Sequence, residues 1–113
     1  MNAQLIEGVA GDPRQQALIA QKHAALGVEP HHYPIVGAHL LGSMRELLGD
    51  LATDGVLEAW AEAYGFLAAA LIERERAIYA EREARHGWRG FRTFIVARKQ
   101  PESQAITSFY LEP

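Results

Sequence analysis

The chain has 113 residues, 49% of them hydrophobic, a formal net charge of −3 and no cysteine. This balance predicts a soluble globular protein of about one domain; it disfavours nucleic-acid binding and excludes a disulfide scaffold. No secretory signal is readable at the start, and the apolar runs are broken well short of a membrane span, so we expect a cytoplasmic protein without a dedicated membrane segment.

The first 27 residues predict two helices of unequal strength. A short, weak one is indicated by Leu5, Ile6 and Val9 at helical spacing. The second has clear limits, because Asp12 fits an N-cap and Gly27 can end a helix in the left-handed conformation. The predicted apolar face of this second helix holds Leu18, Ile19 and Leu26, and His23 lies on the same face.

Two further helices follow. The third is predicted from Pro34 to Leu48, with a buried stripe formed by Val36, Leu40, Met44, Leu47 and Leu48. The fourth begins at Thr53 or Asp54 and extends to about Arg85, and its apolar positions are Val56, Trp60, Tyr64, Leu67, Leu71 and Ile78. About 30 residues make a rod of roughly 45 Å. A rod with one apolar side needs other helices to cover it.

The pattern changes after the fourth helix. Residues 86–90 read as a linker with two glycines, and residues 91–99 and 105–111 read as two strands joined by a turn at 101–103. The predicted hairpin carries apolar residues on both faces, so each face is expected to be covered. An isolated hairpin is marginal in water, so we expect a domain boundary here, with the second domain cut off.

His23 is the first candidate for chemistry. From periodicity alone, a histidine on an apolar helix face is more often a hydrogen-bonded core residue than a metal ligand. The other histidines, His31, His32, His39 and His86, have no metal-binding spacing. A protein-only zinc site is therefore not expected.

Glu75 and Tyr33 are the other candidates. Glu75 lies at one edge of the apolar stripe of the fourth helix, but Arg74 lies at the other edge, so periodicity does not single out the carboxylate. Tyr33 precedes a proline at a helix start, which is common for a simple packing residue. If Glu75 reached the imidazole of His23, it would fix its tautomer and make it a stronger donor to a metal. The spacing leaves open whether these side chains meet.

Four blocks of sequence, in order, resemble the flavohaemoglobins. QKHAALGVEPHHYPIVGAHLL (21–41) is similar to the stretch with the proximal haem ligand, and LGDLATDGVLEAWAEAYGFLA (48–68) to the start of the last globin helix. ERERAIY (73–79) resembles the continuation of that helix. GWRGFRTFIVARKQPESQAITSFYLEP (87–113) is similar to the first strands of the flavin domain.

The resemblance implies a mainly α fold. Residues 1–86 would form a partial globin domain with the proximal helices, and residues 87–113 would form a β-hairpin that begins a ferredoxin-reductase-like FAD-binding β-barrel. The family's distal helices, main flavin motif and nicotinamide domain have no counterpart in the sequence, so we expect the chain to be an internal piece of a longer protein.

The resemblance also implies chemistry. His23 would bind the iron of haem b, and Tyr33 and Glu75 would be the catalytic pair that hydrogen-bonds around its imidazole. The intact family enzyme converts nitric oxide to nitrate with O₂, and its electrons come from NAD(P)H through FAD. We expect the isolated chain to be inactive. The alternative is a non-catalytic, truncated haem-binding or helical interaction module.

Overall fold

The computed structural model describes residues 11–113 and is mainly helical. The helix predicted from Leu5, Ile6 and Val9 lies outside the described residues. The elements that lie wholly within them are α1 (Pro13–Leu26), α2 (His32–Leu48), a 3-10 turn (Gly49–Leu51), α3 (Asp54–Ala84), β1 (Ile95–Pro101) and β2 (Thr107–Glu112). Three helices followed by an antiparallel hairpin is the order that the sequence predicts.

Local signals set the ends of α1. The Asp12 carboxylate accepts a hydrogen bond from the backbone N–H of Arg14 at 2.9 Å, which satisfies one of the donors that a helix start leaves unpaired. Gly27 adopts the left-handed conformation, with φ of 72°, and ends the helix. Both predicted limits of this helix are confirmed.

The other two helices differ little from their predicted limits. The helix α2 begins at His32, two residues before the predicted start at Pro34, so Tyr33 lies inside its first turn. Thr53 is the N-cap of α3, and its hydroxyl accepts from the N–H of Val56 at 3.3 Å. The 31 residues of α3 form the long rod that the sequence predicts.

The core lies where α1 and α2 pack against α3. Its buried members are Ala20, Tyr33, Ala68 and Leu71, surrounded by partly buried Ile19, Val28, Tyr64, Leu67, Ile72 and Ile78. Small side chains such as Ala20 let the backbones of α1 and α3 approach closely. The core is therefore centred on the middle of α3.

The predicted apolar faces of the two shorter helices were partly wrong. In α1, Leu18 and Leu26 are exposed, Leu26 by 81%, and in α2 the predicted stripe includes Leu47, which is 86% exposed. The physical reason is that each short helix buries only the side that faces α3. Within the described residues, nothing covers the remaining apolar side chains.

The hairpin begins later than predicted. Residues 91–94 are irregular, and β1 starts at Ile95 and extends through Pro101, a residue that the sequence assigns to the turn. The strands pair with Val96 opposite Leu111 and Lys99 opposite Phe109, and the register shifts between Val96 and Arg98. Apolar side chains on both faces are exposed, so the cover expected for this hairpin is not supplied by the described residues.

By length and composition, α3 could also cross a membrane. An 18-residue window within it has a mean hydropathy of 1.3, although the sequence suggests that apolar runs stop well short of a span. A single helix of this kind is weak evidence of a span, because core helices of globular proteins share the composition. In this fold α3 buries Leu57, Ala68, Leu71, Glu75 and Tyr79.

Candidate functional site

Three side chains from three helices meet beside the core. The Nδ1 atom of His23 lies 2.7 Å from Oε1 of Glu75 and 3.0 Å from Oη of Tyr33. The Tyr33 hydroxyl donates to the same Oε1 atom at 2.7 Å. Glu75 is only 2% exposed. The structure thus brings together all three residues that the sequence singles out.

The backbone explains this convergence. His23 lies three residues before the end of α1, a four-residue loop follows Gly27, and Tyr33 lies in the first turn of α2. Glu75 comes from α3, 52 residues along the chain from His23. The sequence left open whether Glu75 or Arg74 faces the core. In the structure Glu75 points inward, whereas Nε of Arg74 donates to Oε1 of Gln16 at 3.0 Å.

The electrostatics keep the Tyr33 hydroxyl protonated. Burial raises the pKa of Tyr33 above its ordinary value of 10.0, and the hydrogen bond to Glu75 and the negative charge of that carboxylate raise it further. Burial also raises the pKa values of Tyr64 and Tyr79. At neutral pH, Tyr33 is therefore a hydrogen-bond donor to Glu75.

The hydrogen-bonding capacities of Glu75 and His23 then assign the tautomer of His23. An ionised carboxylate only accepts hydrogen bonds, so the proton between His23 and Glu75 belongs to Nδ1. In the neutral ring, Nε2 then carries a lone pair. Within residues 11–113 no hydrogen bond is formed to Nε2, and the His23 side chain is 32% exposed. This arrangement can present one imidazole nitrogen to a metal.

Two further histidines, His31 and His32, lie in and next to the loop between α1 and α2. The Nδ1 atom of His32 accepts from the backbone N–H of Glu29 at 2.9 Å and so orders the loop between α1 and α2. The rings of His31 and His32 lie 4.1 Å apart. In the part of the chain that the structure describes, no three His, Asp or Glu side chains group as a metal site.

Three residues that sequence reasoning did not assign to the site support it. The Tyr64 hydroxyl donates to the backbone carbonyl of Tyr33 at 2.7 Å. Further along α3, Tyr79 Oη donates to the carbonyl of Val28 at 2.8 Å, and Nη1 of Arg82 donates to the carbonyl of Ala24 at 3.0 Å. A sequence signal exists for Tyr79 and Arg82. They follow Glu75 by four and seven residues, which places them on the same face of the helix.

Comparison with known proteins gives a consistent result. A family model described as Globin matches residues 5–71, which is more than half of the chain. The chain is 60% identical over 96 residues to the flavohemoprotein of Bordetella pertussis, which covers 84% of this chain and 24% of that protein. The flavohemoprotein of Rhizobium meliloti is 58% identical over 96 residues, with the same coverage.

The flavohemoprotein of Pseudomonas aeruginosa is 59% identical over 99 residues, which covers 86% of this chain and 25% of that protein. The chain therefore spans about a quarter of the length of the curated relatives it matches.

Proposed function

The chain belongs to the globin family, and we propose that it is the haem-binding and O₂-binding portion of a flavohemoprotein, in which Nε2 of His23 would bind the iron of haem b. One observation carries this proposal. The Nδ1–H of His23 is held at 2.7 Å by a carboxylate that is buried, which leaves Nε2 with its lone pair on a partly exposed ring. Proximal histidines that bind metals are oriented in this way by a carboxylate or carbonyl.

The residues present fit a haem group. His23 offers one nitrogen donor, and haem iron would need only one ligand from the protein on this side. A porphyrin also needs apolar walls, and on α2 the turns after Tyr33 present Val36 and Leu40 as exposed apolar side chains. Both the donor and the apolar surface are therefore supplied by the helices that meet at Glu75.

The chain's own residues would tune the nitrogen that binds the iron. When bound, haem supplies the iron at which O₂ is held. Glu75 accepts the Nδ1–H of His23, which draws that proton away from the ring and makes Nε2 a more electron-rich donor, with partial imidazolate character. An electron-rich histidine ligand would favour O₂ activation over reversible carriage. The Tyr33 hydroxyl donates to the same carboxylate oxygen and holds it in place.

For the intact protein we propose nitric oxide dioxygenase activity. One NO, one O₂ and one electron give one nitrate ion, and NAD(P)H supplies the electron through FAD. Residues 1–86 would be the globin part and residues 87–113 the start of the FAD-binding domain. We propose a cytoplasmic location. Tyr33 and Glu75 would act on the reaction only through His23.

Haemin titration of the 113-residue chain tests the ligand assignment. We expect a sharp Soret band that saturates at one haem per chain and is lost in His23→Ala. The matched control is His39→Ala, which removes an exposed imidazole from α2 and should leave the band unchanged. If all three proteins gave the same spectrum, His23 would not be the ligand.

A chimera tests the activity. Here this sequence replaces the matching segment of the Bordetella pertussis flavohemoprotein, to which it is 60% identical. We expect the chimera to consume NO with NAD(P)H and O₂, and His23→Ala to abolish this consumption. A chimera that binds haem but consumes no NO would contradict the proposed activity.

A second candidate is a non-catalytic module that binds haem or another polypeptide through its helices. It is favoured by the exposure of large apolar side chains such as Leu26 and Leu47, since apolar surface of this kind marks contact sites. An inactive chimera in which haem still binds at His23 would support this reading.

A further inference from the structure

Three side chains on one face of α3 form hydrogen bonds to the end of α1 and to the residue after its cap. Glu75, Tyr79 and Arg82 are spaced by four and three residues, so they lie on the same face of the helix. Glu75 bonds to the side chain of His23, whereas Tyr79 and Arg82 bond to backbone carbonyls beyond it. The same face therefore holds both the imidazole and the helix that carries it.

Arg82 contacts the carbonyl of Ala24 in the last turn of α1, and Tyr79 contacts the carbonyl of Val28, the residue directly after the capping Gly27. A helix leaves its last carbonyls without partners inside the helix. Here the N–H of Val28 returns to the carbonyl of His23 at 3.0 Å, and the N–H of Gly27 returns to that of Ala24 at 3.3 Å. Tyr79 then satisfies the carbonyl of Val28, and the cationic Arg82 satisfies that of Ala24, where a positive charge complements the helix dipole.

The linker after α3 contacts the side chain of Tyr79 and the backbone of Arg82. The guanidinium of Arg89 lies 4.8 Å from the centre of the Tyr79 ring, and its Nε is 2.7 Å from Oε1 of Glu83. The N–H of Gly87 donates to the carbonyl of Arg82 at 2.8 Å. The approach is so close that a Cβ at Gly87 would lie 2.6 Å from that oxygen. The linker thus contacts α3 at both Tyr79 and Arg82.

We propose that Tyr79 and Arg82 are positioning residues for His23, and that they keep the end of α1 at the distance from α3 at which His23 Nδ1 bonds to Glu75. His23 lies only one residue before Ala24 and five before Val28, the two anchoring points. A displacement of this helix end by a few tenths of an ångström lengthens a 2.7 Å hydrogen bond into a weaker range. This inference rests on the proposed role of His23, but the geometry that it concerns exists in the chain without haem.

The test uses NMR of the 113-residue chain without haem and follows the exchange of the His23 Nδ1 proton with water. Tyr79→Phe removes one hydroxyl, and Arg82→Met removes one guanidinium while keeping an unbranched side chain. Each variant should accelerate exchange about fivefold, because the loss of one such hydrogen bond makes local opening more frequent. The double variant should exchange faster than either.

Matched controls remove the same groups elsewhere. Tyr110→Phe takes a hydroxyl from the hairpin, and Arg85→Met takes a guanidinium from an exposed pair with Glu81. Neither should change the exchange of the His23 proton. Leu57→Ala, at a buried position near the start of α3, controls for general loss of stability.

Two results would overturn the proposal. One is unchanged exchange in both Tyr79→Phe and Arg82→Met. The other is an equal acceleration in Leu57→Ala when the free energy of unfolding falls by the same amount. A failure of haem to bind at His23 would contradict the proposed function, but it would leave the exchange measurement intact, so the two failures are distinguishable.

Discussion

The hydroxyl of Tyr64 donates a hydrogen bond to the backbone carbonyl of Tyr33 at 2.7 Å. Tyr33 therefore forms two hydrogen bonds to α3, one through its backbone carbonyl to Tyr64 and one through its hydroxyl to Glu75. The ring of Tyr64 lies against Gly37, one turn after Tyr33 on α2. This close packing of a glycine on an aromatic ring fixes where the first turn of α2 sits over Glu75.

Gly37→Ala should destabilise the chain. A Cβ at this position would lie 2.7 Å from Cε1 of Tyr64, so the ring must shift, and its hydrogen bond to Tyr33 would be lost. We expect a loss of about 1–3 kcal/mol in the free energy of unfolding by urea. Gly42→Ala on the same helix is the control, since nothing lies within 4 Å of its added Cβ. That change should stabilise by up to about 1 kcal/mol, and an equal gain from both substitutions would contradict the prediction.

Glu75→Gln should cost far more stability than Glu73→Gln. At position 75 the substitution removes the negative charge that accepts from His23 and Tyr33 in a buried setting, which should cost roughly 1.5–3 kcal/mol. Glu73 makes an exposed pair with Arg76, so its loss should cost less than about 1 kcal/mol. Urea unfolding of both variants at neutral pH measures the difference. Equal losses would mean that the buried contacts of Glu75 contribute no more than a surface ion pair.

Stability should fall as the pH rises above about 10. The folded chain raises the pKa values of Tyr33, Tyr64 and Tyr79 above the ordinary 10.0, so the unfolded chain releases these protons first. The stability that these groups contribute is fully present at pH values below their ordinary pKa. It is lost as the pH rises toward the raised pKa values of the folded state. Urea midpoints between about pH 8 and 11 test this. Tyr33→Phe should decline less steeply, and an unchanged slope in that variant would show that Tyr33 does not contribute.

Gly87→Ala should loosen the end of α3 from the linker. The added Cβ would lie 2.6 Å from the carbonyl oxygen of Arg82, a backbone atom that cannot rotate away. We expect a loss of about 1–3 kcal/mol in urea unfolding. The control is Gly55→Ala in the first turn of α3, where the added Cβ meets nothing within 4 Å and stability should rise slightly. If Gly87→Ala were as harmless as Gly55→Ala, the close approach to Arg82 would not be a feature of the protein in solution.

The ends of the helices could be predicted from the sequence because the signals that set them are local. Asp12, Gly27 and Thr53 each act on backbone groups within a few residues, so their effect does not depend on the rest of the fold. The order of helices followed by a hairpin was readable for the same reason. The predicted strand limits were less accurate, since the pairing of β1 with β2, and not the composition of either, decides where a strand begins.

The buried faces and the meeting of the site residues were decided only by the tertiary structure. Periodicity placed Arg74 and Glu75 at equivalent edges of one stripe, and packing against α1 turned Glu75 inward. The resemblance to a family named His23, Tyr33 and Glu75 as partners. Their contact, however, joins residues up to 52 positions apart, and no local pattern encodes such a distance. The sequence by itself determined the helices and the identity of the candidates, whereas the packing of three helices decided that one carboxylate oxygen accepts from both the imidazole and the phenol.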